Sequence, residues 1–253
     1  MTLRAGSRDG MLDHVTLRVR DLAASRRFYE TVLSPLGVAT PTYADDDLVE
    51  WDDFGIAPAT DGKPVTRRLH IGFGAPSREH VDAFWRAGVE AGYEDDGEPG
   101  PRREYGPDYY GGFLRDPDGN SAEAVHHDGV RRPGHVDHLW IRVADVAAAR
   151  GFYLAIAPHA GLRQGSDEPD RAQFLGAGGS FSLVAGRPTQ HVHLAFPAPD
   201  TATVEAFHRT ATEAGHTDNG APGERPEYHA GYHAAFVLDP DGNNVEVVFH
   251  DRR

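Results

Sequence analysis

The chain contains no cysteine among its 253 residues. Disulfides, thiolate metal sites and thiol nucleophiles are therefore excluded, and the absence is compatible with a cytoplasmic location. No apolar run approaches the roughly 20 residues that a membrane-spanning helix needs, so no membrane association is expected. Residues 1–10 lack the apolar centre of a signal peptide, and we interpret them as a flexible N-terminal tail.

Positive charge is also scarce, with 25 Lys and Arg residues against 39 Asp and Glu residues. Both halves of the chain share the excess of acids. Residues 11–128 carry 23 acids and 12 bases, and residues 135–251 carry 15 acids and 7 bases. Because no basic stripe is present to neutralise a phosphate backbone, nucleic acid is not an expected partner.

What the chain does have is an internal repeat. Three segments recur in order: DHVTLRV (13–19) as DHLWIRV (137–143), LHIGF (69–73) as VHLAF (192–196), and DPDGNSAE (116–123) as DPDGNNVE (239–246). The near-constant offset, 124 residues for the first pair and 123 for the other two, predicts two tandem modules. We place them at residues 11–128 and 135–253, with a linker at residues 129–134.

Each copy has the pattern of a strand, a helix and short strands, followed by the same order again. In the first copy, polar and apolar residues alternate from His14 to Val19, which predicts a strand that is covered on one face. Asp21 is then predicted to cap a helix that ends at Gly37. Further helices are predicted at about residues 78–91 and 202–214, and one after the cap Asp145. The predicted fold class is therefore α+β.

Each copy also repeats three potential metal ligands, an early His, a middle His and a late Glu. Two imidazoles and one carboxylate form the facial triad that binds a divalent metal and leaves coordination positions open. In the predicted strands the early histidines point away from the apolar face, and the middle ones share a face with Gly72 or Ala195. The predicted ligands are His14, His70, Glu123, His138, His193 and Glu246.

Two questions about these ligands stay open at this point. Each triad could close within one copy or combine residues of both copies, and one or both triads could bind metal. The histidines that follow the last strands, His126, His127 and His250, are expected to be exposed.

The repeated motifs resemble the vicinal oxygen chelate superfamily, which includes glyoxalase I, bleomycin- and fosfomycin-resistance proteins and extradiol ring-cleaving dioxygenases. The resemblance rests on DHVTLRVRDLAASRRFYETVL, RLHIGF and DPDGNSAEAV, and on DHLWIRVADVAAARGFY, HVHLAF and DPDGNNVEVV. It implies that each module is a pair of βαβββ motifs forming a cupped mixed sheet around a metal. The same six residues are the implied ligands, Fe(II) is the favoured metal with Mn, Zn, Ni or Co as alternatives, and a homodimer is an open expectation.

The resemblance implies a metal-dependent enzyme for a small substrate with two adjacent oxygens, most simply a dioxygenase. The extradiol signature places an acid–base His before a Tyr and a D-P-x-G turn. In the second copy His229 stands at the His position, whereas Phe236 stands at the Tyr position; the first copy has Gly106 and Phe113 there. The predicted catalytic residues are His229 and the neighbouring tyrosines Tyr228 and Tyr232.

Two other functions stay open. A glyoxalase-like lyase or isomerase would use a fourth ligand from the middle strands, for which Glu50 and Glu168 are the candidates. A drug-binding resistance protein would hold an aromatic molecule without turnover and need no metal. Trp51, Trp140 and the tyrosines would then line its groove.

Overall fold

In the computed structural model, the described residues are 10–38, 40–130 and 135–251. The predicted tail therefore lies outside them except for Gly10, and so do residues 131–134 of the linker. The helices are α1 (Leu22–Leu33), a short 3-10 helix (Ser34–Leu36), α2 (Arg78–Glu90), α3 (Val146–Ile156) and α4 (Thr201–Glu213). The strands are β1 (His14–Val19), β2 (Tyr43–Ala44), β3 (Val49–Trp51), β4 (Phe54–Pro58), β5 (His70–Gly74), β6 (Asp95–Pro101), β7 (Tyr110–Arg115), β8 (Ser121–His126), β9 (Val136–Val143), β10 (Arg163–Glu168), β11 (Arg171–Gly176), β12 (Gly179–Ala185), β13 (His193–Pro197), β14 (Asp218–Glu224), β15 (Tyr232–Leu238) and β16 (Asn244–His250).

The residues predicted to begin and end the helices do so in the structure. The Asp21 carboxylate accepts a hydrogen bond from the backbone N–H of Ala24 and caps α1. Asp145 accepts from two backbone N–H groups and caps α3 in the same way. Gly37 ends the first helical segment with a φ of 87°, a left-handed conformation that favours glycine. The order of elements is βαβββ repeated four times, so the predicted α+β class and motif are confirmed.

The two sheets do not coincide with the two sequence copies. Sheet 1 has the strand order β14-β15-β16-β13-β1-β4-β3-β2, and sheet 2 has the order β10-β11-β12-β9-β5-β8-β7-β6. Each sheet therefore combines one βαβββ unit from each copy. The copies meet where β1 pairs with β13 and where β5 pairs with β9, both antiparallel. As a result, the first strand of one copy lies beside the middle strand of the other.

An apolar core fills the space between the helices and the sheets. The first helix of each copy contributes an aromatic pair, Phe28–Tyr29 in α1 and Phe152–Tyr153 in α3, and all four side chains are buried. Trp51 also lies in this core, 2% exposed, and so does not line a groove as the drug-binding interpretation expected.

The two DPDG turns are tied to this core. The Tyr29 hydroxyl donates to Asp116 Oδ2 at 3.1 Å, and Asp116 Oδ1 accepts from the backbone N–H groups of Asp118 and Asn120. This network fixes the turn that leads into β8, the strand that carries Glu123. In the part of the chain that the structure describes, no helix is both long and apolar enough to cross a membrane.

Candidate metal centres

The six predicted ligands form two clusters, and each cluster combines residues of both sequence copies. Site 1 consists of His14, His193 and Glu246, and site 2 consists of His70, Glu123 and His138. Within each site the three donor atoms lie within 4.8 Å of one another. Of the two arrangements that the sequence left open, the structure has the one in which residues of both copies meet.

Strand register explains why these residues meet. In sheet 1, His14 and Glu246 lie on either side of Ala195 in one row across β1, β13 and β16. In sheet 2, His138 and Glu123 flank Gly72 in the same way. The third ligand lies two residues before the small residue, on the same face of the middle strand.

Gly72 is needed for this packing. A Cβ atom at this position would lie 2.2 Å from His138 Cε1, far inside van der Waals contact. The small residue that shares a face with the middle histidine therefore makes room for the other imidazole of the site.

The donor atoms of site 1 point at one another. His193 Nε2 lies 3.1 Å from His14 Nε2 and 2.9 Å from Glu246 Oε2, and His14 Nε2 lies 3.8 Å from the same carboxylate oxygen. Each neutral imidazole has only one N–H proton. These protons cannot satisfy both of the facing ring nitrogens and the carboxylate oxygen that they share. One divalent cation among them would satisfy all three, and two imidazoles with a carboxylate suit such an ion.

Site 2 has nearly the same geometry. His70 Nε2 lies 3.2 Å from His138 Nε2 and 2.9 Å from Glu123 Oε2, while His138 Nε2 lies 3.2 Å from the same oxygen. The same donor set therefore fits a divalent metal at both sites.

Carboxylates and hydroxyls outside each triad orient the ligands. Asp13 Oδ1 lies 2.9 Å from His14 Nδ1, so this ring donates its Nδ1 proton outward and turns the Nε2 lone pair into the site. The Tyr232 hydroxyl donates to Glu246 Oε1 at 2.6 Å. Tyr232, a predicted catalytic residue, thus contacts a candidate ligand and fixes its orientation.

Site 2 repeats both contacts. Asp137 Oδ2 lies 3.0 Å from His138 Nδ1, and the Tyr109 hydroxyl donates to Glu123 Oε1 at 2.8 Å. The acidic partner of each first-strand imidazole is the residue directly before it in the sequence. The DH pair that begins each repeat is the signal that could have identified it.

The two imidazoles of a site differ in their affinity for protons. Burial alone would lower the pKa of His14, but the hydrogen bond to Asp13 and the charge of Glu246 raise it to about 9. Burial lowers the pKa of His193 in spite of the neighbouring Glu246. Without metal, the proton of site 1 therefore belongs to His14.

Site 2 has the same asymmetry. Burial opposes protonation of His138, yet its hydrogen bonds to Asp137 and Glu123 raise its pKa to about 10. Burial lowers the pKa of His70. At both sites a metal ion would have to displace the proton of the first-strand imidazole.

Access differs strongly between the two sites. Site 1 opens into a cavity of about 640 Å³ that His14, His193 and Glu246 all line. A cavity of about 560 Å³ adjoins site 2, but of that triad only His138 lines it. The side chains of His14 and His193 are each 17% exposed, whereas those of the site 2 histidines are 11% and 7% exposed.

The two sites also differ in the residue that pairs with the middle histidine. Trp140 pairs with His70, and its ring lies 5.5 Å from the His70 ring. The equivalent residue of site 1 is Thr16, which pairs with His193. Site 1 thus has a small side chain where site 2 has an indole.

Glu50 lies on the wall of the site 1 cavity. It is opposite Gly55 of β4, which in turn is opposite Thr16 of β1. Burial raises the pKa of Glu50, and the charge of His14 partly opposes this shift. The equivalent position of site 2 is Gln173, not Glu168, which is exposed on β10 and lines neither described cavity. Glu50 is thus a candidate fourth ligand or base at site 1 alone, and it lies outside the 4.8 Å triad.

All three predicted catalytic residues line the site 1 cavity. Tyr228 is 37% exposed at its rim. His229 does not touch the triad directly; its Nε2 lies 2.9 Å from Nδ1 of His250, whose Nε2 lies 2.9 Å from Asp13 Oδ2. His14, Asp13, His250 and His229 therefore form a continuous hydrogen-bonded chain.

The His229–His250 pair is closely packed. The two rings are stacked with their centroids 5.1 Å apart, and His229 Nδ1 lies 2.8 Å from the carbonyl oxygen of Ala230. Each of the two imidazoles therefore has both ring nitrogens within hydrogen-bond distance of a partner.

His250 was expected to be exposed, but it is 7% exposed at the end of β16. Strand alternation places it on the same face as Glu246, four residues earlier, and this signal could have found it. Site 2 has His127 in the equivalent place, 3.2 Å from both oxygens of Asp137, and Gly106 in place of His229. The four-residue chain thus extends only from site 1.

Comparisons with known proteins agree with this architecture. The family model of the Glyoxalase/Bleomycin resistance protein/Dioxygenase superfamily matches residues 11–124 and 135–247. Among curated proteins no significant match is found.

Solved structures show the same fold at low sequence identity. Glyoxalase I from Zea mays is 18% identical with a TM-score of 0.66, over 94% of this chain and 92% of that one. A mutant of the same enzyme is 19% identical with a TM-score of 0.69, again over 94% of this chain and 92% of that one. A putative dioxygenase from Bacillus subtilis subsp. subtilis str. 168 is 16% identical with a TM-score of 0.64, over 98% of this chain and 87% of that one. With both halves matched by the family model, the chain belongs to the Glyoxalase/Bleomycin resistance protein/Dioxygenase superfamily.

Proposed function

We propose that the protein is a metal-dependent enzyme whose reaction centre is site 1. The observation that carries this proposal is that His14, His193 and Glu246 direct three donor atoms into one open cavity. Three protein ligands leave positions free for a small-molecule substrate, and Fe(II) is the favoured ion, with Mn, Zn, Ni and Co as alternatives. When bound, the ion would supply Lewis-acid chemistry toward two adjacent substrate oxygens.

The residues around the triad have separate tasks in this proposal. His229 lines the cavity and is hydrogen-bonded to His250, and an imidazole in this position can act on a bound substrate as a general acid or base. Tyr228 presents its hydroxyl at the rim. Tyr232 holds Glu246 in place.

The reaction that this arrangement supports best is dioxygenase-like. A triad of two histidines and one carboxylate is the ligand set of non-haem Fe(II) oxygenases, and among the described residues no fourth His, Asp or Glu joins the triad within 4.8 Å. The test is to load the protein with Fe(II) under anaerobic conditions, add a panel of catechols, and follow O2 uptake. Uptake that depends on Fe(II) and disappears in Glu246→Ala supports the proposal, whereas a loaded protein that consumes no O2 with any catechol contradicts it.

Glu50 favours a second candidate, a glyoxalase-like lyase or isomerase. Its carboxylate lines the same cavity, and its raised pKa suits a group that takes up and releases a proton. This candidate predicts O2-independent turnover of thiol–aldehyde adducts that falls by about 10²–10⁴-fold in Glu50→Gln. The equivalent residue Gln173 offers a control, because Gln173→Ala should leave this activity unchanged.

The metal content separates both enzyme proposals from a drug-binding role. Protein purified without chelators and analysed for metals should contain a divalent ion at site 1. If it takes up none even from a metal-containing buffer, the reaction centre proposed here does not exist, and capture of a ligand without turnover becomes the better interpretation.

A further inference from the structure

The cavity next to site 2 departs from the repeat at neighbouring positions of its wall. Compared with site 1, Trp140 replaces Thr16, Gln173 replaces Glu50, and Arg171 replaces Leu48. These differences remove a carboxylate and add a guanidinium and an indole ring. At these three positions the wall of site 2 is therefore more cationic and more aromatic than the wall of site 1.

Arg171 is held in place on this wall. Its Cζ lies 5.1 Å from the centre of the Trp140 ring, and its Nε and Nη2 donate to Ser182 Oγ at 3.3 and 3.1 Å. Within the described part of the chain it forms no ion pair. Both Nη1 hydrogens and one Nη2 hydrogen are thus left for an external acceptor, and this edge of a guanidinium matches the two oxygens of a carboxylate.

Aromatic rings surround the place where such an acceptor would lie. The Tyr105 ring lies 5.3 Å from Trp140 and 5.2 Å from Tyr109, in edge-to-face contacts. Tyr105 is 43% exposed. A planar ring entering the cavity would cover this exposed surface.

A second basic residue lines the same side of the cavity. Arg163 of β10, the strand next to the one that carries Arg171, belongs to the cavity wall.

The acidic residues of this cavity lie elsewhere. Glu104, Asp108 and Asp128 belong to the segments after β6 and β8, in the half of sheet 2 opposite β10 and β11. Asp137 is occupied by His127 and His138. The two arginines that line the cavity and three of its four acidic residues therefore belong to segments attached to opposite halves of sheet 2.

We propose that the cavity next to site 2 binds a small aromatic carboxylate, with its carboxylate on Arg171 and its ring against Tyr105 and Trp140. Of the site 2 triad only His138 lines this cavity, and the proposal places the carboxylate of the ligand on Arg171 and not on a metal in site 2. The cavity is thus a second binding site, distinct from the reaction centre proposed at site 1. The inference does not depend on metal binding or turnover there.

Isothermal titration calorimetry of the full chain with 1-naphthoate tests this proposal, with 1-naphthamide as a neutral analogue of the same shape. We expect one naphthoate per chain and an affinity about tenfold or more lower for the amide, because the charge-assisted pair with Arg171 is lost. Arg171→Leu, which introduces the residue of the equivalent site 1 position, should weaken naphthoate binding by a similar factor. Arg171→Gln is a second variant that keeps a polar side chain, and circular dichroism checks the fold of both.

Two further variants serve as controls. Arg86→Leu removes one positive charge from the exposed face of α2, away from both cavities, and should leave naphthoate binding unchanged. Glu246→Ala disrupts site 1 and should also leave it unchanged.

Several outcomes would overturn the proposal: no naphthoate binding, equal binding of the amide, unchanged binding in both Arg171 variants, or loss of binding in Glu246→Ala, which would place the ligand in site 1. Metal analysis of the same samples keeps the two proposals apart. A metal-free protein that still binds naphthoate through Arg171 would refute only the reaction centre proposed at site 1.

Discussion

Nε2 of His14 and Nε2 of His193 lie 3.1 Å apart although 179 residues separate them in the sequence. The two imidazoles of site 1 come from different copies of the repeat, and the two of site 2 are shared in the same way. The pairing of ligands can therefore be tested by combining substitutions and counting the metal ions that remain.

The double variant His14→Ala, Glu246→Ala should lose one metal ion per chain and retain the other, because both residues belong to site 1. The double variant His14→Ala, Glu123→Ala should lose both ions, because each of the two substitutions damages a different site. Elemental analysis of the purified proteins gives the stoichiometry. If His14→Ala, Glu123→Ala instead keeps one ion, the ligands are paired within a copy, contrary to the structure.

The affinity of site 1 for metal should depend on pH through His14. Its pKa of about 9 in the folded protein lies above the ordinary value of 6.5, so its proton stabilises the metal-free fold below pH 6.5, and this contribution disappears as the pH rises toward 9. Since the metal needs the unprotonated ring, affinity should rise about tenfold per pH unit over this window and then level off.

Chelator competition between pH 6 and 10 measures this profile. Asp13→Asn removes the carboxylate that favours protonation of His14, so the plateau should begin at a lower pH. A profile that is flat across the window in both proteins would show that His14 does not compete with protons for the metal.

Exchanging Trp140 and Thr16 tests what keeps the two sites different. Trp140→Thr should open site 2, so that a bulky chelator removes its metal faster than in the unchanged protein. Thr16→Trp should cover site 1 and lower turnover. The metal content should stay the same in both variants, because neither Thr16 nor Trp140 is a metal ligand. Chelation kinetics and metal analysis check both directions. Equal rates of metal loss in Trp140→Thr and the unchanged protein would mean that the indole does not limit access.

His229→Ala should lower turnover by about 10²–10⁴-fold, the usual contribution of a placed acid or base, while metal remains bound. Gly106→Ala, at the equivalent position of the other copy, should have a much smaller effect. Rates measured against pH distinguish a proton-transfer role from a merely structural one, because loss of the group should also change the profile. Turnover that survives His229→Ala would shift the acid–base role to Glu50.

The repeat and strand alternation predicted the fold class, the order of elements and the six residues that cluster. They could not predict that His14 would meet His193 and not His70, because the pairing of β1 with β13 is a tertiary choice between two similar middle strands. The alternation of polar and apolar residues along a strand also does not show how deeply a side chain is buried. The sequence therefore does not show that Trp51 is buried in the core, or that the ring of Trp140 lies 5.5 Å from the ring of His70.

The repeated DH pair places Asp13 and Asp137 directly before the first-strand histidines, but their contacts with these imidazoles are seen only in the structure. Likewise His250 lies on the face of Glu246 by simple alternation, but its burial depends on Asp13, 237 residues away. Contacts across such distances depend on sheet order, which local patterns do not specify.

Each sheet combines one βαβββ unit from each sequence copy, so the chain is equivalent to a dimer whose two subunits are joined by a linker. Each sequence copy carries two incomplete centres, and both become complete only when the copies associate. The covalent connection through residues 129–134 sets a high effective concentration of one copy around the other. Assembly of both centres is therefore independent of protein concentration, whereas two unlinked copies would lose both centres together on dilution.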